Sequence, residues 1–158
     1  MSATSIYDFT LKTIEGEAKR LSDFEGKVLL VVNVASQCGL TPQYAELELF
    51  YREMKSKGVE VLGFPANNFG GQEPGTDAEI KEFCSARYNV SFPMFSKISV
   101  KGADQHPLYT YLTGQTASEV QWNFQKYLVG KDGKVISSFA PTASVEGPEL
   151  RNAVEAAL

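Results

Sequence analysis

The chain has 158 residues, 43% apolar and 22% charged, with a net charge of −4. That length suits a single domain able to bury most of its apolar surface without metals or crosslinks. An acidic balance with no dense run of Lys or Arg offers nothing to nucleic acid or an anionic membrane surface.

Two cysteines, Cys38 and Cys84, are too few for a disulfide scaffold, and with the single His106 they cannot assemble a tetrahedral zinc site. The N-terminal stretch lacks a basic start followed by an apolar run, and no apolar run is long enough to span a bilayer. A cytoplasmic protein without a membrane span, metal or bound cofactor is therefore expected.

In chain order, short strands are expected near Tyr7 to Thr10 and Ala18 to Leu21. The run Val28 to Val34, VLLVVNV, is almost unbroken apolar and β-branched, which suits a central strand covered on both faces. Thr41-Pro42 offers an N-cap followed by proline at the first helical position, and Tyr44, Leu47, Phe50 and Met54 then recur at helical spacing up to Gly58. A second strand, Val59 to Phe64, precedes PANNFGGQEPGT, whose density of turn formers predicts a functional loop with Gln72 in its middle.

Thr76 and Glu79 form a capping box opening a helix whose apolar face is Ile80, Phe83 and Cys84. Tyr127 to Val129 and Val135 to Phe139 flank Gly130-Lys131-Asp132-Gly133 as a hairpin. Pro148 opens a last helix with Leu150, Ala153, Val154, Ala157 and Leu158 on one face. Alternating strands and helices with a late hairpin predict one α/β domain, a mixed sheet between helices.

Cys38 falls between the buried strand and the first long helix, where unpaired backbone N–H groups and the positive helix end favour an anion. The alternative is a small buried core residue, a reading weakened by the polar Ser36 and Gln37 before it. His106, preceding Pro107 at a helix start, reads as structural, and Lys126 and Arg87 read as solvated surface charges.

The strings NVASQCGLTPQY, FPANNFGGQEPG, EIKEFCSARYNVSFPMF, HPLY and WNFQKYLVGKDGKV, ordered between about Tyr7 and Phe139, resemble the glutathione peroxidase family. The resemblance implies a thioredoxin fold and reduction of hydrogen peroxide or organic and lipid hydroperoxides. It puts the peroxidatic residue at Cys38, a position held by selenocysteine in some relatives. Gln72, Trp122 and Asn123 match the family's other active-site positions; read singly they would be a loop turn, a core aromatic and a turn or strand cap.

Cys84, within EFCSARYNV, resembles the resolving cysteine of the thioredoxin-dependent branch, its alternative being the buried helical face described above. Ala66 stands where many of those relatives carry a further cysteine. The short segment between Leu112 and Gln121 lacks the insertion that builds a subunit interface in tetrameric relatives, so a monomer is expected.

An ordinary thiol is only about 3% ionised at pH 7, and a pKa near 6 would raise that roughly thirtyfold. The accompanying loss of nucleophilicity leaves a net gain of only about twofold. The larger contribution is expected from donors that stabilise the departing oxygen, each worth on the order of a hundredfold; the amides of Gln72 and Asn123 and the indole N–H of Trp122 are such donors.

A sulfenic acid on Cys38 would condense with Cys84 to a disulfide that thioredoxin or glutathione opens. A disulfide needs Cα atoms about 4.4 to 6.8 Å apart, so the helix from Asp77 to Ala86 is expected to unwind locally. Two other readings stay open: a redox sensor relaying oxidation to a partner protein, and a one-cysteine, glutathione-dependent peroxidase. A dithiol oxidoreductase would need the CxxC pair that this sequence lacks.

Overall fold

A computed structural model describes residues 4–158. Its first element is a 3-10 turn, Ile6–Asp8, where the sequence predicted a strand. Ser5 and Asp8 close a capping box around that turn, and this local bonding wins over the alternation that Tyr7 and Phe9 suggest. The strand β1 (Thr10–Lys12) starts later and pairs antiparallel with β2 (Ala18–Arg20) as a separate hairpin.

The central sheet runs in the order β4-β3-β5-β6. Strand β3 (Val28–Val34) leads through helix α1 (Gln43–Met54) to β4 (Val59–Pro65), which lies parallel to it. Helices α2 (Asp77–Tyr88) and α3 (Pro107–Thr116) follow, then β5 (Lys126–Val129), antiparallel to β3, then β6 (Val135–Phe139), antiparallel to β5. Helix α4 (Pro148–Ala157) closes the chain, so the architecture is the mixed sheet between helices that the sequence predicts.

Every residue of β3 is buried, and its two faces serve two cores. Val28, Leu30, Val32 and Val34 join Tyr44, Leu47 and Phe50 of α1, Ile80 and Cys84 of α2, and Leu150 and Val154 of α4. Leu29 and Val31 join Leu62 and Phe64 of β4 and Leu108, Tyr109 and Leu112 of α3. Burying each such aliphatic side chain is worth about 1.5–3 kcal/mol, which is why this strand anchors the fold.

The register decides where the loops meet. Val34 pairs with Pro65 and Val32 with Lys126, so the carboxyl ends of β3 and β4 lie at the same sheet end as the start of β5. Chain segments 35–42, 66–76 and 117–125 therefore emerge together, at the end where open α/β sheets place their sites. Helix α2 opens on the capping box predicted, buries Ile80 and Cys84, and lays Phe83 and Tyr88 half-buried against Tyr44.

Candidate active site

Cys38 sits in the loop between β3 and α1, in the apolar cluster that contains Tyr44, Ile80, Cys84 and Phe124, with 8% of its surface exposed. Thr41 organises this loop rather than capping the helix. Its hydroxyl donates to the carbonyl of Ala35 at 2.8 Å and accepts the Cys38 N–H at 2.9 Å, while its own N–H donates to the Cys38 carbonyl at 3.0 Å. The predicted N-cap is thus a correction: the helix begins at Gln43 with Pro42 at the cap and no side-chain cap bond, because Thr41 is committed to the loop. The N–H of Leu40 points at Cys38 Sγ from 3.3 Å, ready to stabilise negative charge on sulfur.

Gln72 arrives from the loop after β4. Gly70 and Gly71 both take left-handed φ, +67° and +62°, and a Cβ at Gly70 would lie 3.4 Å from both the Trp122 ring and the Gln72 side chain. Glycines make that turn accessible and let the two side chains close on it. The Gln72 carbonyl accepts the N–H of Gln37, immediately before Cys38, at 3.0 Å. Its side-chain Oε1 accepts Asn123 Nδ2 at 3.0 Å, which leaves the Gln72 amide hydrogens available as donors.

Asn123 is fully buried, whereas Trp122 is 37% exposed and packs on Phe69 with ring centroids 5.5 Å apart. Asn33, the lone polar residue of β3, positions both: its Nδ2 donates to the Trp122 carbonyl at 3.0 Å, and its carbonyl accepts the Phe124 N–H at 2.6 Å. Phe124 has a left-handed φ of 68°, a conformation that costs a bulky residue on the order of 1–3 kcal/mol. Its buried ring, edge-on to Tyr44 at 5.4 Å, helps to hold it there. The signal for Asn33 was its amide inside an otherwise apolar run.

Cys84 is a free thiol, as is Cys38, and belongs to the same apolar cluster. Burial pushes its pKa up to about 11; the Tyr44 hydroxyl beside it works the other way, and the charge of Glu73 adds to the rise. Glu73, next to Gln72, was missed in the sequence. Its carboxyl is almost wholly buried and its pKa is raised by that burial, with the hydroxyl and N–H of Ser36 and the charge of Lys97 opposing. A pocket of about 190 Å³ is lined by Ser36 and Gln37 of the Cys38 loop, by Glu73, and by Ile80 and Phe83 of α2.

The glutathione peroxidase family model matches residues 6–113. The chain belongs to the glutathione peroxidase family. Among its relatives are a glutathione peroxidase homolog BsaA of Halalkalibacterium halodurans, 49% identical over 89% of this chain and 92% of that one, and a hydroperoxy fatty acid reductase gpx1 of Synechocystis, 46% identical over 88% of each. The thioredoxin/glutathione peroxidase BtuE of Escherichia coli is 43% identical over 98% of this chain and 97% of its own.

In structure, the chain superposes on Trgpx in apo form with a TM-score of 0.80 at 38% identity, covering 98% of this chain and 96% of that one. It shares its fold with a thioredoxin family thiol:disulfide interchange protein from Chlorobium tepidum, with a TM-score of 0.72 at 14% identity, covering 94% and 92% of the two chains.

This glutathione peroxidase family member is therefore a peroxidase, an oxidoreductase with peroxide as acceptor, on a thioredoxin fold. Among the described residues no group of three or more His, Cys, Asp and Glu side chains could hold a metal, and no helix is long and apolar enough to cross a membrane. His106 caps α3, its Nδ1 accepting the Leu108 N–H at 3.0 Å. Arg87 is exposed beside the Phe83 ring. Lys126 is a correction: β5 starts one residue earlier than predicted, both its faces are covered, and the lysine is buried rather than solvated.

Proposed function

We propose that the protein reduces hydroperoxides through Cys38, with Gln72, Trp122 and Asn123 as donors and Cys84 as the resolving thiol, and that thioredoxin recycles it. The observation that carries this reading is the pair of hydrogen bonds through Gln72. One joins it to Asn123 and the other to Gln37, and together they tie two remote chain segments, the Gln72 loop and the Asn123 turn, to the Cys38 loop.

The Cys38 thiolate attacks one peroxide oxygen and the O–O bond breaks. The departing oxygen leaves as hydroxide or alkoxide, is stabilised by the three donors, and takes a proton to become water or alcohol. Cys38 is left as a sulfenic acid. The Cys84 thiolate then attacks the Cys38 sulfur, the S–O bond breaks, hydroxide leaves as water on protonation, and a disulfide forms. A thioredoxin dithiol opens that disulfide and becomes oxidised itself, so two electrons pass from dithiol to peroxide and no bound cofactor takes part.

The raised pKa of Cys84 fits this order of events. With a value of about 11, only about one thiol in ten thousand is ionised at pH 7, so Cys84 does not compete for peroxide while α2 is folded. Local opening of α2 exposes it and restores ordinary reactivity. Support for that opening lies in the small buried face of α2, Ile80 and Cys84, beside the much larger one of α1. Lipid hydroperoxides are included as substrates because the Synechocystis relative is named for a hydroperoxy fatty acid, and thioredoxin because the Escherichia coli relative carries it in its name. We take the working form to be a cytoplasmic monomer.

One equivalent of hydrogen peroxide, followed by mass spectrometry under non-reducing conditions, tests the reading. Wild type should carry an intramolecular disulfide, Cys84→Ser a sulfenic acid that dimedone traps, and Cys38→Ser neither. Peroxide consumption by Cys38→Ser at the wild-type rate would overturn it.

A further inference from the structure

Lys126 is fully buried, and its Nζ donates to Gln43 Oε1 at 2.6 Å and to the Pro141 carbonyl at 2.8 Å. Gln43 Nε2 donates to the same carbonyl at 2.8 Å, closing a small ring of bonds. Glu46 acts on the ammonium electrostatically while its carboxylate accepts from the Ser144 hydroxyl at 2.8 Å. A buried ammonium held by neutral oxygens is costly, and an apolar side chain of similar volume would fill the space at lower cost. Its position in the fold gives it a use that such a side chain could not serve.

Gln43 is the first residue of α1, directly behind the Cys38 loop, and Lys126 is the first residue of β5, directly behind the turn that carries Trp122 and Asn123. We propose that Lys126 is a positioning residue for peroxide reduction, a buried strut that sets the distance between the Cys38 loop and the Trp122–Asn123 turn. The inference rests on the roles given above to Cys38, Trp122 and Asn123. Its directional N–H bonds fix the start of α1 relative to the start of β5. An apolar replacement leaves Gln43 Oε1 without that donor and lets the two arms drift. A displacement on the order of 1 Å between a nucleophile and the groups that act on its leaving atom costs roughly a hundredfold in rate.

The test separates the alignment of the donors from the state of the sulfur. Lys126→Met and Gln43→Leu remove the strut from its two ends. For each, the second-order rate constant with hydrogen peroxide is followed through fluorescence of Trp122, the single tryptophan of the chain. In parallel, the rate of Cys38 alkylation by iodoacetamide reports on the thiol alone. In folded variants, peroxide reactivity should fall at least about tenfold while alkylation stays within about twofold of wild type.

Peroxide rates within about twofold of wild type in folded Lys126→Met or Gln43→Leu would overturn the strut, as would equal losses in both reactions. Failure of the underlying reading looks different: wild-type enzyme alkylated at Cys38 would still consume peroxide.

Discussion

Asn123 donates its side-chain N–H to Gln72 Oε1 across 3.0 Å, so two residues 51 positions apart hold each other's rotamers. Neither amide is placed independently. Asn123→Ala should therefore lower the rate constant for hydrogen peroxide by on the order of a hundredfold, and Gln72→Ala by a similar factor. The double variant should lose far less than the product of the two, because the pair acts as one unit. Stopped-flow measurement of the three variants against wild type checks this.

The raised pKa of Cys84 makes an alkaline stability prediction. Its folded value of about 11 lies above the ordinary 9.0, so the folded state holds the thiol proton more tightly than the unfolded state. The resulting stabilisation is fully present below pH 9 and is lost as pH rises through 11. Buried Tyr44 and Tyr109 shift in the same direction, so the comparison must be a difference. In urea titrations, the stability advantage of wild type over Cys84→Ala should shrink across that window.

Lys126 carries the opposite sign. Burial lowers its pKa from 10.5 to about 8, so the folded state bears the cost of the charge at neutral pH. Its relative contribution to stability is greatest above 10.5 and is lost as pH falls through about 8. Lys126→Met should melt at a higher temperature than wild type at pH 7, by an amount equivalent to about 1–3 kcal/mol, and this gain should vanish as pH approaches 10.5. Calorimetric melts at the two pH values measure it.

Helix α2 should exchange its amide protons faster than α1, which buries more of its side chains, and oxidation should deepen the effect. Hydrogen exchange of reduced enzyme is expected to give slow amides in β3 and faster ones from Asp77 to Ala86, with further loss of protection there once the Cys38–Cys84 disulfide forms. Protection of α2 that is unchanged by oxidation would argue against its opening.

The architecture was legible where local chemistry and burial agree. VLLVVNV reads as a strand covered on both faces, and the Thr76–Glu79 capping box opens α2 at the residue predicted. Where the two compete, the reading went astray. Thr41 looks like a helix cap to any local rule, but its hydroxyl is taken up by the Cys38 loop, bonded to Cys38 N–H and the Ala35 carbonyl. Lys126 looks solvated because lysines usually are; its burial follows from β5 being an inner strand and from acceptors on Gln43 and Pro141.

For the candidate site the sequence offers residues and not their geometry. Cys38, Gln72, Trp122 and Asn123 were named from ordered strings, whereas the Gln72–Asn123 bond joins loops that only the sheet register brings together. Asn33 and Glu73 went unread because one is a polar residue inside a strand and the other a carboxylate in an apparently exposed loop.

The most direct test of the two-cysteine cycle is steady-state peroxide consumption by wild type and Cys84→Ser. Each is supplied with thioredoxin, thioredoxin reductase and NADPH, or with glutathione and glutathione reductase. The cycle proposed here predicts that wild type turns over with thioredoxin while Cys84→Ser stops after a single equivalent of peroxide. Equal turnover of both proteins with glutathione would contradict it and leave Cys84 as a core residue of a one-cysteine peroxidase.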